Sequence, residues 1–277
     1  MQDRPYHRLI TLIAGLFRPE PGLLRMAVAL SFGILMHAAF AVAVLAMIIA
    51  MFFGMNESFG NVPRPWTWLV NAALLVQFPI LHSILLNGRG RAVLVRILPM
   101  PYARTLVTTT FAFIASLQLA ALFLLWTPSG IVWWRAEGLP FALSCAAYAA
   151  AWSLLIKASY DAGAEVQSGA LGWMSMFQGR KPRYPDMPST GLFRLIRQPI
   201  YVAFALTTWT VPVWTPDQLI VALTLTAYCL VAPVLKERRF ARQFGEKFIA
   251  YQKRVPYAVP RLTSRAYAAD PPESEVK

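Results

Sequence analysis

Residues 197–239 read RQPIYVAFALTTWTVPVWTPDQLIVALTLTAYCLVAPVLKERR, and this stretch decides the fold. Two apolar runs, 199–214 and 218–235, are separated only by Thr215, Pro216 and Asp217. So short a connection forces an antiparallel helical hairpin. Pro199 suits the first turn of its helix, where its missing N–H has no intrahelical partner anyway. Arg197 and Gln198 stand at one outer end of the hairpin, and Lys236, Glu237, Arg238 and Arg239 at the other. Folding back brings both groups to one mouth. There Arg197 offers a planar donor fork suited to a carboxylate or phosphate. Gln198 offers donors and an acceptor, to a ligand or to the free N–H groups of the helix start. Those N–H groups and the positive end of the helix dipole face the same place. Glu237 can accept hydrogen bonds from a ribose diol or an ammonium group. Taken singly, Arg197 is a basic membrane flank and Glu237 a surface ion pair worth at most about 1 kcal/mol. Together, with the hairpin between them, they describe a pocket for a zwitterionic, nucleoside-like molecule.

Composition supports a membrane setting. Of 277 residues, 57% are hydrophobic and only 14% charged, against roughly a quarter charged in soluble domains. Mean hydropathy is +0.49. The net charge of +13 lies between apolar spans, where it reads as flanks facing anionic lipid rather than as a nucleic-acid surface. Cys145 and Cys229 fall inside apolar runs, which argues against a disulfide, and no metal-ligand cluster is spaced for binding. The scattered His7, His37 and His82 read as structural, and the start MQDRPYHR is too charged for a cleaved signal peptide.

A span needs about 20 apolar residues to cross about 30 Å of hydrocarbon. The expected fold is an all-α integral membrane protein with about six transmembrane helices, at about 23–53, 66–86, 105–126, 139–158, 199–214 and 218–235. Pro79 should kink the second, and Pro212 and Pro233 loosen the hairpin near its two ends. Lys and Arg then orient the bundle. The N-terminal arm through Arg25, the loop before span three, the segment between 157 and 197, and the tail after 235 hold 24 of them, and the remaining loops hold only Arg64 and Arg135. Both termini are therefore expected in the cytoplasm. After the hairpin, Phe240, Phe244, Phe248, Tyr251 and Val255 recur at helical spacing, predicting an amphipathic helix along the cytoplasmic interface. The organisation expected is a cytoplasmic arm (1–22), four spans (23–158), a cytoplasmic loop (159–198), a C-terminal ligand-binding region (199–264) and a disordered polar tail (265–277).

The segments GLFRLIRQPIYVAFALTTWTVP and AYCLVAPVLKERRFARQFGEKFIAYQKRVPYAVP resemble the C-terminal half of the isoprenylcysteine carboxyl methyltransferase family, closest to its bacterial methanethiol S-methyltransferase-like branch. That branch carries an Arg-His-Pro-x-Tyr box, an acidic pair followed by Arg, and a tail ending Tyr-x-x-Arg-Val-Pro. LLVQFPILHSILL (with His82-Ser83), PMPYARTLVTTTF and FLLWTPSGIVWW extend the likeness upstream, to about 66–260 in all. The resemblance implies S-adenosyl-L-methionine as methyl donor, bound near the cytoplasmic face, and an inner-membrane location. It places Arg197, Gln198, Pro199, Tyr201, Glu237, Arg238 and Tyr251 around the cofactor, assigns Tyr201 and Arg254 to catalysis, and implies no metal. Gln198 stands where the family has His, and Lys236 where it has the first Glu. Gln keeps a hydrogen bond but gains no proton near neutral pH, so any base role of that His is lost.

The expected reaction is in-line displacement at the sulfonium methyl. A thiolate is itself nucleophilic and needs no strong base, so a small thiol is the favoured acceptor, ahead of a lipid amine or a carboxylate. Trp152, Tyr160, Trp173 and Trp209 could line the acceptor's entry path, although packing or an interfacial belt is their ordinary role. Membrane lipid is the other expected partner, and nucleic acid is not one. Two further readings stand beside this one: a nicotinamide-dependent membrane reductase on a similar hairpin, and a non-catalytic membrane protein retaining a degenerate site.

Overall fold

The computed structural model describes residues 5–98 and 101–261; the tail expected to be disordered lies outside them. In chain order the elements are α1 (Pro5–Gly15), α2 (Leu23–Phe52), α3 (Trp66–Leu86), α4 (Gly88–Ile97), α5 (Ala103–Leu124), β1 (Trp134–Arg135), α6 (Gly138–Asp161), α7 (Ala164–Gln167), α8 (Ala170–Gln178), α9 (Pro199–Trp209), β2 (Val213–Trp214), α10 (Pro216–Phe244) and α11 (Glu246–Arg254). Among them α2, α3, α5, α6 and α10 are long and apolar enough to cross a membrane.

Small residues let the spans approach closely. Ala29, Gly33, Ala43, Ala46 and Ala50 are buried on α2, and Ala103, Ala112 and Ala120 on α5, the helix it packs against. The region expected as a cytoplasmic loop is largely structured. Its helix α8 packs on both α2 and α5, at one end of the bundle. A Cβ on Gly172 would lie 2.5 Å from Thr109 Oγ1, and one on Gly33 would lie 2.6 Å from the Trp173 ring. Only glycine permits those approaches.

The hairpin is asymmetric, and this departs from the sequence expectation. Helix α9 has 11 residues, about 16 Å, too short to span alone. Pro212 cannot continue a ladder of helical N–H donors. The chain extends instead into β2, which pairs antiparallel with β1, Trp214 facing Trp134. The Thr215 hydroxyl then accepts from Gln218 N at 2.9 Å, capping α10, and donates to Gly54 O at 2.6 Å. Buried Asp217 fixes the same end by accepting from Trp126 Nε1, Ser129 N and Ser129 Oγ.

At the other end α10 runs on through the charged gate to Phe244, so Lys236 and Glu237 belong to the same continuous helix as the apolar run before them. The expected amphipathic helix is divided by Gly245, whose φ of +52° and ψ of −130° suit glycine. Its apolar stripe turns inward. Phe248, Tyr251 and Val255 are buried with Met187, and the Phe240 ring stands edge-on to Phe244 and Phe248. A contiguous apolar stripe buries equally well against lipid or protein, and Gly245 selects protein.

Lys247 of α11 also pairs with Asp186 in the preceding loop. That hydrogen bond, with a second from Met187 N, holds the Asp186 carboxyl below its usual 3.8. A depressed folded value means the contribution is complete above 3.8 and is lost as pH falls through the lower folded value. Both partners are about half exposed, so salt screens the pair. Acidification in that window should loosen α11, and Asp186→Asn should show a small loosening already at neutral pH. Hydrogen exchange corrected for intrinsic rates checks this; identical α11 protection in both proteins would remove the pair from docking the helix.

Candidate functional site

The start of α9, the end of α10 and helix α11 meet at one cluster. The backbone of the box is tied to the tail: Arg197 N donates to Pro256 O at 2.9 Å and Gln198 N to Tyr257 O at 3.1 Å. At the centre is Glu237. Its Oε1 accepts from Arg197 Nε at 2.8 Å and Gln198 Nε2 at 2.6 Å, and its Oε2 from Gln252 Nε2 at 2.7 Å and an Arg197 terminal nitrogen at 3.4 Å. A carboxylate has about four lone-pair sites, so Glu237 is saturated within the protein.

Arg197 is nearly so. Its other terminal nitrogen donates to Gln252 O at 3.0 Å and Val255 O at 2.6 Å, and its guanidinium lies 5.4 Å from the Tyr257 ring centroid. Its fork thus fastens the tail to the gate, where the sequence suggested a ligand carboxylate or phosphate. Gln198 does not cap α9. Its side chain is 2% exposed and bridges the gate, with Nε2 on Glu237 and Oε1 accepting from Lys236 Nζ at 2.6 Å. The two departures from the family pattern are therefore partners of one another: an amide carbonyl faces an ammonium.

Lys236 Nζ is also ringed by aromatic faces, 5.3 Å from the Tyr201 centroid, 5.6 Å from Phe240 and 6.0 Å from Phe193. Tyr251 donates to Phe193 O at 2.7 Å, fixing one wall of this box. Burial pushes its phenol above the usual tyrosine value, so it serves as a donor. Pro188, Phe193, Arg197, Gln198, Lys236, Glu237, Phe240, Phe248 and Tyr251 enclose a cavity of about 10 Å³, room for about one water molecule. A larger cavity, about 290 Å³, lies between α4 and α5. Its only charged lining residues are Arg91 and Arg104, and it offers no nucleophile or base.

Of the expected residues, the structure gathers Arg197, Gln198, Tyr201, Glu237 and Tyr251, with Pro199 in the first turn of α9. Arg238 and Arg254 are exposed and do not line the cavity. Sequence reasoning missed Gln252, Phe193 and Tyr257. Gln252 follows Tyr251 in the recognised tail and was the one with a readable signal. Trp173 and Trp209 are engaged in packing, Trp173 with His37 and Trp209 with Trp214 and Thr226.

A predominantly helical bundle with membrane-length spans and a charged, aromatic-lined gate at one end defines an integral membrane protein. Comparison with known proteins narrows the class. The chain is 28% identical to methanethiol S-methyltransferase 2 of Bradyrhizobium diazoefficiens over 73% of this chain and 76% of that protein. It is 27% identical to methanethiol S-methyltransferase of Pseudomonas deceptionensis over 72% and 74%. The enzyme of that name from Crocosphaera subtropica is 26% identical over 72% and 76%. No family model matches the chain. No solved structure matches it either. The chain is thus related to the bacterial methanethiol S-methyltransferases, the branch its box and tail resemble, and its enzyme class is methyltransferase.

Proposed function

We propose that the chain is an integral membrane methyltransferase that uses S-adenosyl-L-methionine, with the gate and both termini on the cytoplasmic side of a bacterial inner membrane. The acceptor is small or lipophilic, and a thiol of the methanethiol kind is favoured. The observation that carries the reading is the gate itself. Arg197, Gln198, Glu237 and Gln252 form one hydrogen-bonded unit beside an aromatic box already holding a cation. A carboxylate flanked by amide groups suits a ribose diol and an ammonium once Gln198 or Gln252 gives up its bond to Glu237, and an aromatic box suits a sulfonium, so the types of residue present fit this cofactor.

When bound, S-adenosylmethionine supplies a methyl group already activated on sulfur. The protein's own work is to position and to exclude water. Helix α11 and the tail cover the gate through the Arg197 contacts, and Phe193, Tyr201 and Phe240 keep the reacting end dry. A thiolate arriving from the lipid side would attack the methyl carbon in line, its sulfur–carbon bond forming as the carbon–sulfur bond to the donor breaks, so that the methylated thioether and the donor's neutral thioether are the two products.

The test is transfer of labelled methyl from S-adenosylmethionine in detergent-purified protein to methanethiol, longer alkanethiols, a lipid amine and a carboxylate. Product is expected with the thiols. Label appearing only on the amine or the carboxylate would replace the thiol as acceptor. No transfer and no cofactor binding in folded protein would sink the proposal.

A further inference from the structure

Lys236 is an unusual occupant of its own surroundings. A lysine ammonium carries three donors and is strongly hydrated. Here Nζ makes one hydrogen bond, to Gln198 Oε1, among the described residues. Besides the nearby charges of Glu237, Arg197 and Arg239, it is surrounded by the faces of Phe193, Tyr201 and Phe240, with ring centroids 5.3–6.0 Å away. Rings arranged this way attract a positive charge through their quadrupoles and offer it no acceptor. That environment matches an onium cation, which has no N–H to satisfy, better than it matches an ammonium. The box also adjoins the Gln198–Glu237 unit, so an onium there would lie beside the groups that fit a ribose and an amine.

We infer that the box of Phe193, Tyr201 and Phe240 is the seat of the cofactor's sulfonium, and that Lys236 occupies this seat when the site is closed. This rests on the methyltransferase reading above. Two cations cannot share the box, so S-adenosylmethionine enters by displacing the Lys236 head, which its flexible four-carbon stem permits. The cavity of about 10 Å³ is the closed state of that exchange. Gln198 is the latch, because its carbonyl holds the ammonium in place. Lys236 therefore sets affinity for the charged cofactor specifically. S-adenosylhomocysteine, a neutral thioether, gains nothing from the box and competes with Lys236 far less directly.

The test is calorimetric binding of S-adenosylmethionine and S-adenosylhomocysteine to wild type, Lys236→Met and Lys236→Arg, all full-length in detergent. Lys236→Met removes the charge and keeps the stem. The preference for S-adenosylmethionine over S-adenosylhomocysteine should rise about tenfold in it. Lys236→Arg should show no rise. Phe240→Leu added to Lys236→Met should cancel the gain. Lys236→Gln makes the same comparison if the methionine protein does not fold. An unchanged preference, with both ligands still binding, would overturn the inference and leave the methyltransferase reading standing. Binding of neither ligand to any folded variant would overturn both.

Discussion

Glu237→Gln is expected to abolish measurable S-adenosylmethionine binding and to cost about 3 kcal/mol of stability. The structure gives the reason in donor counts. Arg197, Gln198 and Gln252 all aim N–H groups at the two carboxylate oxygens. An amide of the same shape has one accepting oxygen and turns its own NH₂ toward those donors. At least one donor is left facing another, and the Arg197 charge loses its counterion. Because Arg197 also holds the carbonyls of Gln252 and Val255, the defect passes to the tail. Chemical denaturation in detergent followed by tryptophan fluorescence reads the stability, and calorimetry reads the binding. Unchanged affinity in a folded variant would remove Glu237 from the site.

Arg197→Ala should be nearly as severe. It leaves Glu237, whose side chain is 12% exposed, as a partly buried charge without its main partner. Breaking such a pair from one side costs about 3–5 kcal/mol in buried settings. It also loosens α11 from the gate, leaving the backbone bonds from 197 and 198 to the tail, the Gln252–Glu237, Tyr251–Phe193 and Lys247–Asp186 contacts, and the stripe around Phe248. The expected result is a lower denaturation midpoint together with fast hydrogen exchange confined to the segment after Gly245. Arg197→Lys should restore little, since one ammonium cannot reach Glu237 and two tail carbonyls in a planar fork. Protection of α11 equal to wild type in Arg197→Ala would show that Arg197 is a membrane flank and no clamp.

Much of the site was legible because its residues lie in short, dense motifs. Arg197, Gln198 and Glu237 were read as one mouth from the hairpin connection alone. Their roles were less legible. A sequence shows that Arg197 can bind a carboxylate, but only the fold shows that the carboxylate is Glu237 and that two main-chain carbonyls take the remaining donors. The Gln198 and Lys236 substitutions read as two separate losses, 38 residues apart. Packed together they form one bond, and they bound the same aromatic box.

The chain by itself determined its medium, its spans α2, α3, α5, α6 and α10, and the meeting of 197–201 with 236–239. Those follow from apolar length and from the reach of a three-residue connection, which are properties of contiguous sequence. Tertiary structure alone decided that α9 stops at Trp209, that the stripe of α11 faces the protein, and that Lys236 lies within a box of rings. Each depends on partners far along the chain: β1 for the end of α9, Met187 for α11, and Phe193 and Tyr201 for Lys236. Hydrophobic burial has no direction of its own, so a pattern of apolar residues announces a buried face without naming what covers it.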